Sequence, residues 1–141
     1  MTTRILVDTG PLVALLHKED RLHQWAKAQF ALCHPPLWTC EAVLVEASHL
    51  LRRLPNGRQA PLRLVAAGLL LVDYAAAAEA AEVCALMDKY ASVPMALADA
   101  CLLRMLERSG GAAILTADSD FLLYRVGRKP VTLVGELPPV P

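Results

Sequence analysis

"RILVDTGPLVALLH", residues 4–17, is the stretch whose reading decides the fold. Its first part, "RILVD" (4–8), is a short apolar run rich in β-branched residues, the pattern of a buried strand. Gly10-Pro11 then turns the chain into "PLVALLH", where proline suits a first helical position because its missing N–H would have no helical partner there. A strand without polar alternation, passing at once into a helix, is the opening of a β–α unit.

The same alternation continues outward. A second helix is expected from Asp20 through "RLHQWAKAQFAL", broken by His34-Pro35-Pro36, and "LWT" follows as a short strand. "CEAVLVEASHLLRRL" (40–54) reads as a helix ended by Pro55-Asn56-Gly57, with another over 59–68. "LLLVDY" is a strand, "AAAAEAAEVCALMDKY" (75–90) an Ala-rich helix, and "MALADACLLRMLERSGG" a helix stopped by Gly110-Gly111. "AAILT" is a strand, "DSDFLLYRV" a short helix and "VTLVG" the last strand, before a frayed Pro-rich tail at about 136–141. Short apolar strands alternating with helices predict an α/β fold with a parallel sheet covered on both faces. We expect one domain over residues 1–141, with four to five central strands. In such sheets ligands bind beyond the carboxyl ends of the strands.

Composition narrows the class. The chain of 141 residues is 55% hydrophobic and 20% charged, a compact soluble protein rather than a disordered one. "LVAAGLLLV" is stopped by Asp73, well short of a bilayer span, and "MTTRILVD" lacks the succession of a signal peptide. Cys33, Cys40, Cys84 and Cys101 show no metal-ligand spacing and read as reduced packing thiols of a cytoplasmic protein. Net charge is zero, yet cations cluster at Arg52, Arg53, Arg58 and Arg63, and again at Arg125, Arg128 and Lys129. Solvated faces are the plainer reading of both groups.

Four carboxylates occupy places that solubility does not explain. Asp8 and Asp118 stand just beyond two strands. Glu46 has Ala42, Val43, His49 and Leu50 at helical spacing, and Asp99 has Met95, Ala96, Leu102 and Leu103. Each has an ordinary explanation: Asp8 and Asp118 as helix caps, Glu46 paired with Arg53, Asp99 with a core arginine. Asp73, also at a strand end, is expected to cap the next helix. One divalent cation at the sheet edge would account for all four acids at once. Hard oxygen donors without cysteine suit Mg²⁺ or Mn²⁺.

"ILVDTGPLVALL", Glu46 within "TCEAVLVEASHLL", Asp99 within "MALADACLL", and "ILTADSDF" together resemble a PIN domain, and within that family the VapC-type ribonuclease toxins of bacterial and archaeal toxin–antitoxin pairs. The resemblance runs from about residue 4 to 135. It implies a metal-dependent endoribonuclease, with Asp8, Glu46, Asp99 and Asp118 as catalytic and metal-binding acids for one or two Mg²⁺ or Mn²⁺ ions. Thr116 matches the hydroxyl before the last acid, and Asp120 matches a frequent further acid that could instead cap the "FLLYR" helix. Gly10 departs from the family's usual Ser or Asn, and Cys40 from a frequent Ser. The resemblance further implies an RNA substrate, a cognate antitoxin and a homodimer.

The expected chemistry is hydrolysis by metal-activated water, leaving a 5′-phosphate and a 3′-hydroxyl. A neutral protein must grip RNA with cations around an acidic pocket, and Arg52 and Arg53, about two turns or roughly 10 Å from Glu46, are the expected contacts. His17, His23, His34 and His49 receive no role. An aspartic protease would need a second Asp-Thr-Gly in a mainly β fold, and a di-iron bundle a second E-x-x-H. A dehalogenase-type phosphotransferase would want an acid where Gly10 stands. The alternative is a PIN-fold RNA- or protein-binding module without catalytic activity. Nothing in the residues reads a 2′-hydroxyl, so the choice of RNA over DNA rests on the resemblance.

Overall fold

The computed structural model describes residues 3–141. Four parallel strands, β1 (Ile5–Val7), β2 (Leu37–Thr39), β3 (Leu70–Val72) and β4 (Ala113–Leu115), form one sheet in the order β3-β2-β1-β4. Six helices connect and flank them: α1 (Thr9–Leu16), α2 (His23–Phe30), α3 (Glu41–Leu50), α4 (Ala60–Ala66), α5 (Ala80–Lys89) and α6 (Leu97–Arg108). Leu6, Val7, Ile114 and Leu115 are all buried. Successive strand residues point to opposite faces, so both faces of β1 and β4 are covered, as their unbroken apolar sequence requires. No helix among the described residues is long and apolar enough to cross a membrane.

The chain lays β2 and β3 to one side of β1, then returns through α5 and α6 to lay β4 on the other. The strand order therefore reverses at β1. That switch point opens a crevice at the carboxyl ends of β1 and β4. Register decides what stands there. Val7 pairs with Leu115 and Leu6 with Trp38, so Asp8 emerges between Thr116 and Cys40. Asp8 extends the ladder by donating its N–H to the Leu115 carbonyl at 3.0 Å.

The strand and helix order follows the reading from sequence, with differences at several ends. α1 starts at Thr9, two residues before Pro11, because Asp8 itself serves as its N-cap. α2 starts at His23, since Asp20 closes a turn by accepting from the Leu22 N–H at 2.8 Å. α3 stops at Leu50, so Arg52 and Arg53 lie in the following turns rather than on the helix. There Gly57 approaches the Leu51 carbonyl so closely that no β-carbon would fit. The Ala-rich stretch divides into a 3-10 turn (Ala76–Glu79) and α5.

The expected last strand is reduced to one parallel bridge, Ile114 with Leu133, beside a short hairpin of β5 (Arg125–Val126) and β6 (Lys129–Pro130). Asp73 caps nothing: it accepts from Arg4 at 3.2 Å, while the same guanidinium lies 4.5 Å over the Trp38 ring. Cys84 is exposed rather than packed.

Candidate active site

Asp8 is the centre of the crevice. It is 6% exposed, and both of its oxygens are engaged. Oδ1 accepts from the Thr9 N–H at 2.7 Å, and Oδ2 from the Thr116 hydroxyl at 2.8 Å. Thr116 in turn accepts from the Asp118 N–H at 3.0 Å, and Asp118 Oδ1 accepts from the Asp120 N–H at 2.9 Å. On the other side the Thr9 hydroxyl donates to Glu46 Oε1 at 2.9 Å. One hydrogen-bonded chain thus runs from Glu46 through Thr9, Asp8 and Thr116 to Asp118.

Both capping explanations hold, and neither excludes a further role. Asp8 caps α1, and Asp118 caps the 3-10 turn over Ser119–Leu122. Asp120 does not cap that turn, because Asp118 already does. Glu46 meets Thr9 rather than Arg53, and its helix face is exposed at His49 and Leu50 instead of apolar and covered.

Asp99 is not a buried mid-helix charge. α6 begins at Leu97, so Asp99 lies in its first turn, and its Oδ2 accepts from the Ala96 N–H at 3.2 Å. Ala96 has no side-chain acceptor to return the bond, so this is half of a capping box. The position favours a carboxylate, since the first-turn N–H groups lack helical acceptors. The Tyr124 hydroxyl also reaches Asp99 Oδ2, at a long 3.5 Å. Tyr124 is wholly buried, held edge-on by Tyr90 and Phe121 with ring centroids 4.9 and 5.0 Å away.

Charge accumulates here without compensation. Among the described residues, no Arg, Lys or His forms an ion pair with Asp8, Glu46, Asp99, Asp118 or Asp120. Burial pushes Asp8 up to about 6, with Asp99 and Asp118 adding to the rise and Thr116 and Thr9 opposing it. Burial also raises Asp99, opposed by the Ala96 N–H and reinforced by Asp118, Glu46 and Asp120. Tyr124 is raised by burial and by Asp99, Asp120 and Asp118, which keeps its hydroxyl a donor.

The donor set suits a hard divalent cation: carboxylates, threonine hydroxyls, no thiolate, and negative charge left unpaired. Its arrangement is looser than a formed metal centre. Among the described residues, no three His, Cys, Asp or Glu side chains are gathered as a ligand group. Gly10 brings α1 against the loop carrying Asp118, where an added β-carbon would stand 3.2 Å from that of Ala117. A larger cavity, about 550 Å³, lies at the other end of α6, where Arg4 pairs with Asp73 and Arg108 with Glu79.

Sequence reasoning missed Thr9 and Tyr124. Thr9 was visible as the hydroxyl beside the strand-end acid in Asp8-Thr9-Gly10. Tyr124 carried no such signal, since only the tertiary structure brings it to Asp99. Arg52 donates to the His49 carbonyl at 2.8 Å and so closes the end of α3, while Arg53 is exposed.

No curated protein matches the chain. Among solved structures it is similar to VapC20 of Mycobacterium tuberculosis, described as a toxin that cleaves the sarcin–ricin loop. The TM-score is 0.74 at 23% identity, over 82% of this chain and 91% of the other. That likeness concerns the fold. The PIN domain family model matches residues 5–129, which include all four acids and the strands that position them, so the chain belongs to the PIN domain family.

Proposed function

We propose that this protein is a metal-dependent endoribonuclease that hydrolyses RNA phosphodiester bonds, the toxin of a toxin–antitoxin pair. The observation that carries the reading is the hydrogen-bonded chain from Glu46 to Asp118, anchored on buried Asp8 at the switch point of a PIN fold. Its likeness to an RNA-cleaving toxin supports the same assignment.

Asp8, Glu46, Asp99 and Asp118 would hold one or two Mg²⁺ or Mn²⁺ ions, with Thr116 and Asp120 in support. When bound, such an ion polarises the scissile phosphate and makes water acidic enough to attack at neutral pH. The protein's own part is positioning. Thr9 and Thr116 fix both oxygens of Asp8, so its carboxylate cannot rotate away from the crevice. Thr9 also holds Glu46 towards the crevice from α3. Asp8, at about 6, exchanges its proton close to neutrality and can accept one as water attacks. In-line attack leaves a 5′-phosphate and a 3′-hydroxyl.

Arg52 and Arg53 are the proposed RNA contacts, outside the acidic crevice. A cognate antitoxin would cover an apolar groove between helices and direct a cation to the acids. The groove of about 500 Å³ between α3 and α4, floored by Leu44, Val45, Pro61 and Leu62, is where we place it. The chain would act in the cytoplasm as a homodimer. The test is cleavage of a defined RNA with and without chelator, followed by end-group analysis. A 2′,3′-cyclic phosphate, or cleavage unaffected by chelator, would overturn the mechanism.

One observation favours the alternative of a non-catalytic PIN-fold binding module: the acids do not form a ready ligand group. Mn²⁺ titration separates the two, because a nuclease must take up Mn²⁺ at the crevice and a module without a working site must not.

A further inference from the structure

Cys40 and Cys101 lie 61 residues apart in the chain and meet in the fold. Cys40 is the N-cap of α3, where β2 ends, and its thiol makes no capping hydrogen bond. Cys101 lies on α6, two residues beyond Asp99. They are 2% and 1% exposed, yet both line a cavity of about 360 Å³ between α3, α6 and the Tyr74–Ala77 segment. The thiols lie against one another, and this contact is the strongest influence on the ionisation of each: Cys101 is drawn towards its thiolate while Cys40 keeps its proton. The other two cysteines are placed differently. Cys33 is buried with its thiol given to the Gln29 carbonyl at 3.5 Å, and Cys84 is exposed.

We propose that Cys40 and Cys101 form a reversible redox site, closed to an intramolecular disulfide by a small peroxide entering the cavity. The Cys101 thiolate attacks one peroxide oxygen and the O–O bond breaks. The departing hydroxide takes up the proton that Cys101 released, giving water and a sulfenic acid on Cys101. Cys40 sulfur then attacks the Cys101 sulfur, the S–O bond breaks, and a second water leaves with the Cys40 proton. The two thiols lose two electrons, and the peroxide is reduced to two waters. A dithiol reductant reverses the reaction by exchange. The bond would staple the start of α3 to α6, the two helices that carry Glu46 and Asp99. This inference does not rest on the proposed ribonuclease activity.

The test uses the full chain, treated with hydrogen peroxide, then denatured and alkylated, with peptide mapping by mass spectrometry. Alkylatable thiols should fall from four to two, at Cys33 and Cys84, with a Cys40–Cys101 linked peptide in the monomer. Dithiothreitol should restore all four. The closed form should melt several degrees higher, since it ties a long loop. Cys40→Ser, nearly isosteric, should give no cross-link and leave a sulfenic acid on Cys101 that dimedone traps. If that variant misfolds, Cys101→Ala should likewise lose the cross-link while Cys40 remains alkylatable. Cross-links confined to Cys33 or Cys84, or Cys40 and Cys101 both still free after peroxide, would overturn the proposal.

Discussion

Asp8 is caught between burial, which disfavours its charge, and two hydrogen bonds, which favour it; burial wins. A carboxyl raised from 3.8 to about 6 costs the folded state about 3 kcal/mol once ionised. The folded protein holds this proton at pH values where the unfolded chain has released it. Stability therefore falls as pH rises from about 4 to about 6 and stays low above. In Asp8→Asn the buried charge is gone, but one hydrogen bond at Thr116 is lost, about 1 kcal/mol. The variant should be more stable than wild type at pH 7 in metal-free buffer by on the order of 2 kcal/mol, and should lose that advantage below pH 4. Urea unfolding at the two pH values checks this. Equal destabilisation at both would mean that the hydrogen bonds outweigh the burial. For Asp99→Asn the balance is closer. Asparagine keeps the Ala96 bond and relieves the repulsion from Asp118, Glu46 and Asp120, but gives up a favourable helix-end charge worth about 0.3–1 kcal/mol. Stability should stay within about 1 kcal/mol while cleavage falls more than about 100-fold, beyond what loss of a supporting residue costs. A variant that unfolds well below the wild-type temperature without metal would mark Asp99 as structural.

At the scale of elements, α6 carries unlike chemistry at its two ends. Its first turn presents Asp99 to the crevice, and its last turns hold Arg104 and Arg108 around Glu79, at 3.1 and 3.5 Å. Burial raises the Glu79 carboxyl, but Arg104, Tyr74 and Arg108 outweigh it and hold the group below its usual range. Its contribution is present above the ordinary glutamate pKa and fades as pH falls through the depressed one. Glu79→Gln should therefore lower the melting temperature by a few degrees at pH 7 and narrow its gap to wild type in acid. Thermal melts at pH 7 and pH 3 would show it, and a gap that widens in acid would contradict the assignment. The carboxylates at the crevice titrate in the opposite sense, so one helix contributes pH dependence of both signs.

Across the whole molecule, a neutral chain has to hold RNA beside an uncompensated acidic crevice. Arg53 is exposed, whereas Arg52 is partly committed to the His49 carbonyl. Charge reversal at both should weaken RNA binding and reduce its salt slope by about 0.7 for each single-strand phosphate left without its arginine. Mn²⁺ affinity should be unchanged. Arg53→Glu alone guards against loss of the α3 terminus, because only Arg52 closes that end. Binding measured at several salt concentrations gives the slopes; parallel slopes for variant and wild type would place the RNA path elsewhere.

The alternation of buried strands and helices was legible in the sequence because hydrophobic periodicity is local: it records which faces are covered without saying by what. The strand-end position of Asp8, the Thr116–Asp118–Asp120 spacing and the presence of Glu46 and Asp99 on helices could be read the same way. Their partners could not. Thr9 finds Glu46 across 37 residues, and Thr116 finds Asp8 across 108, because sheet order and register bring them together. The start of α6 was misplaced because "MALAD" has no Ser, Thr, Asp or Asn at the cap to announce it, so Asp99 seemed mid-helix when its own carboxylate holds the Ala96 N–H. The shrinking of the fifth strand to one bridge, the burial of Tyr124 and the meeting of Cys40 with Cys101 depend on packing between distant elements. Local pattern determines what each segment can bury, and only the assembled sheet decides which side chains then share a site.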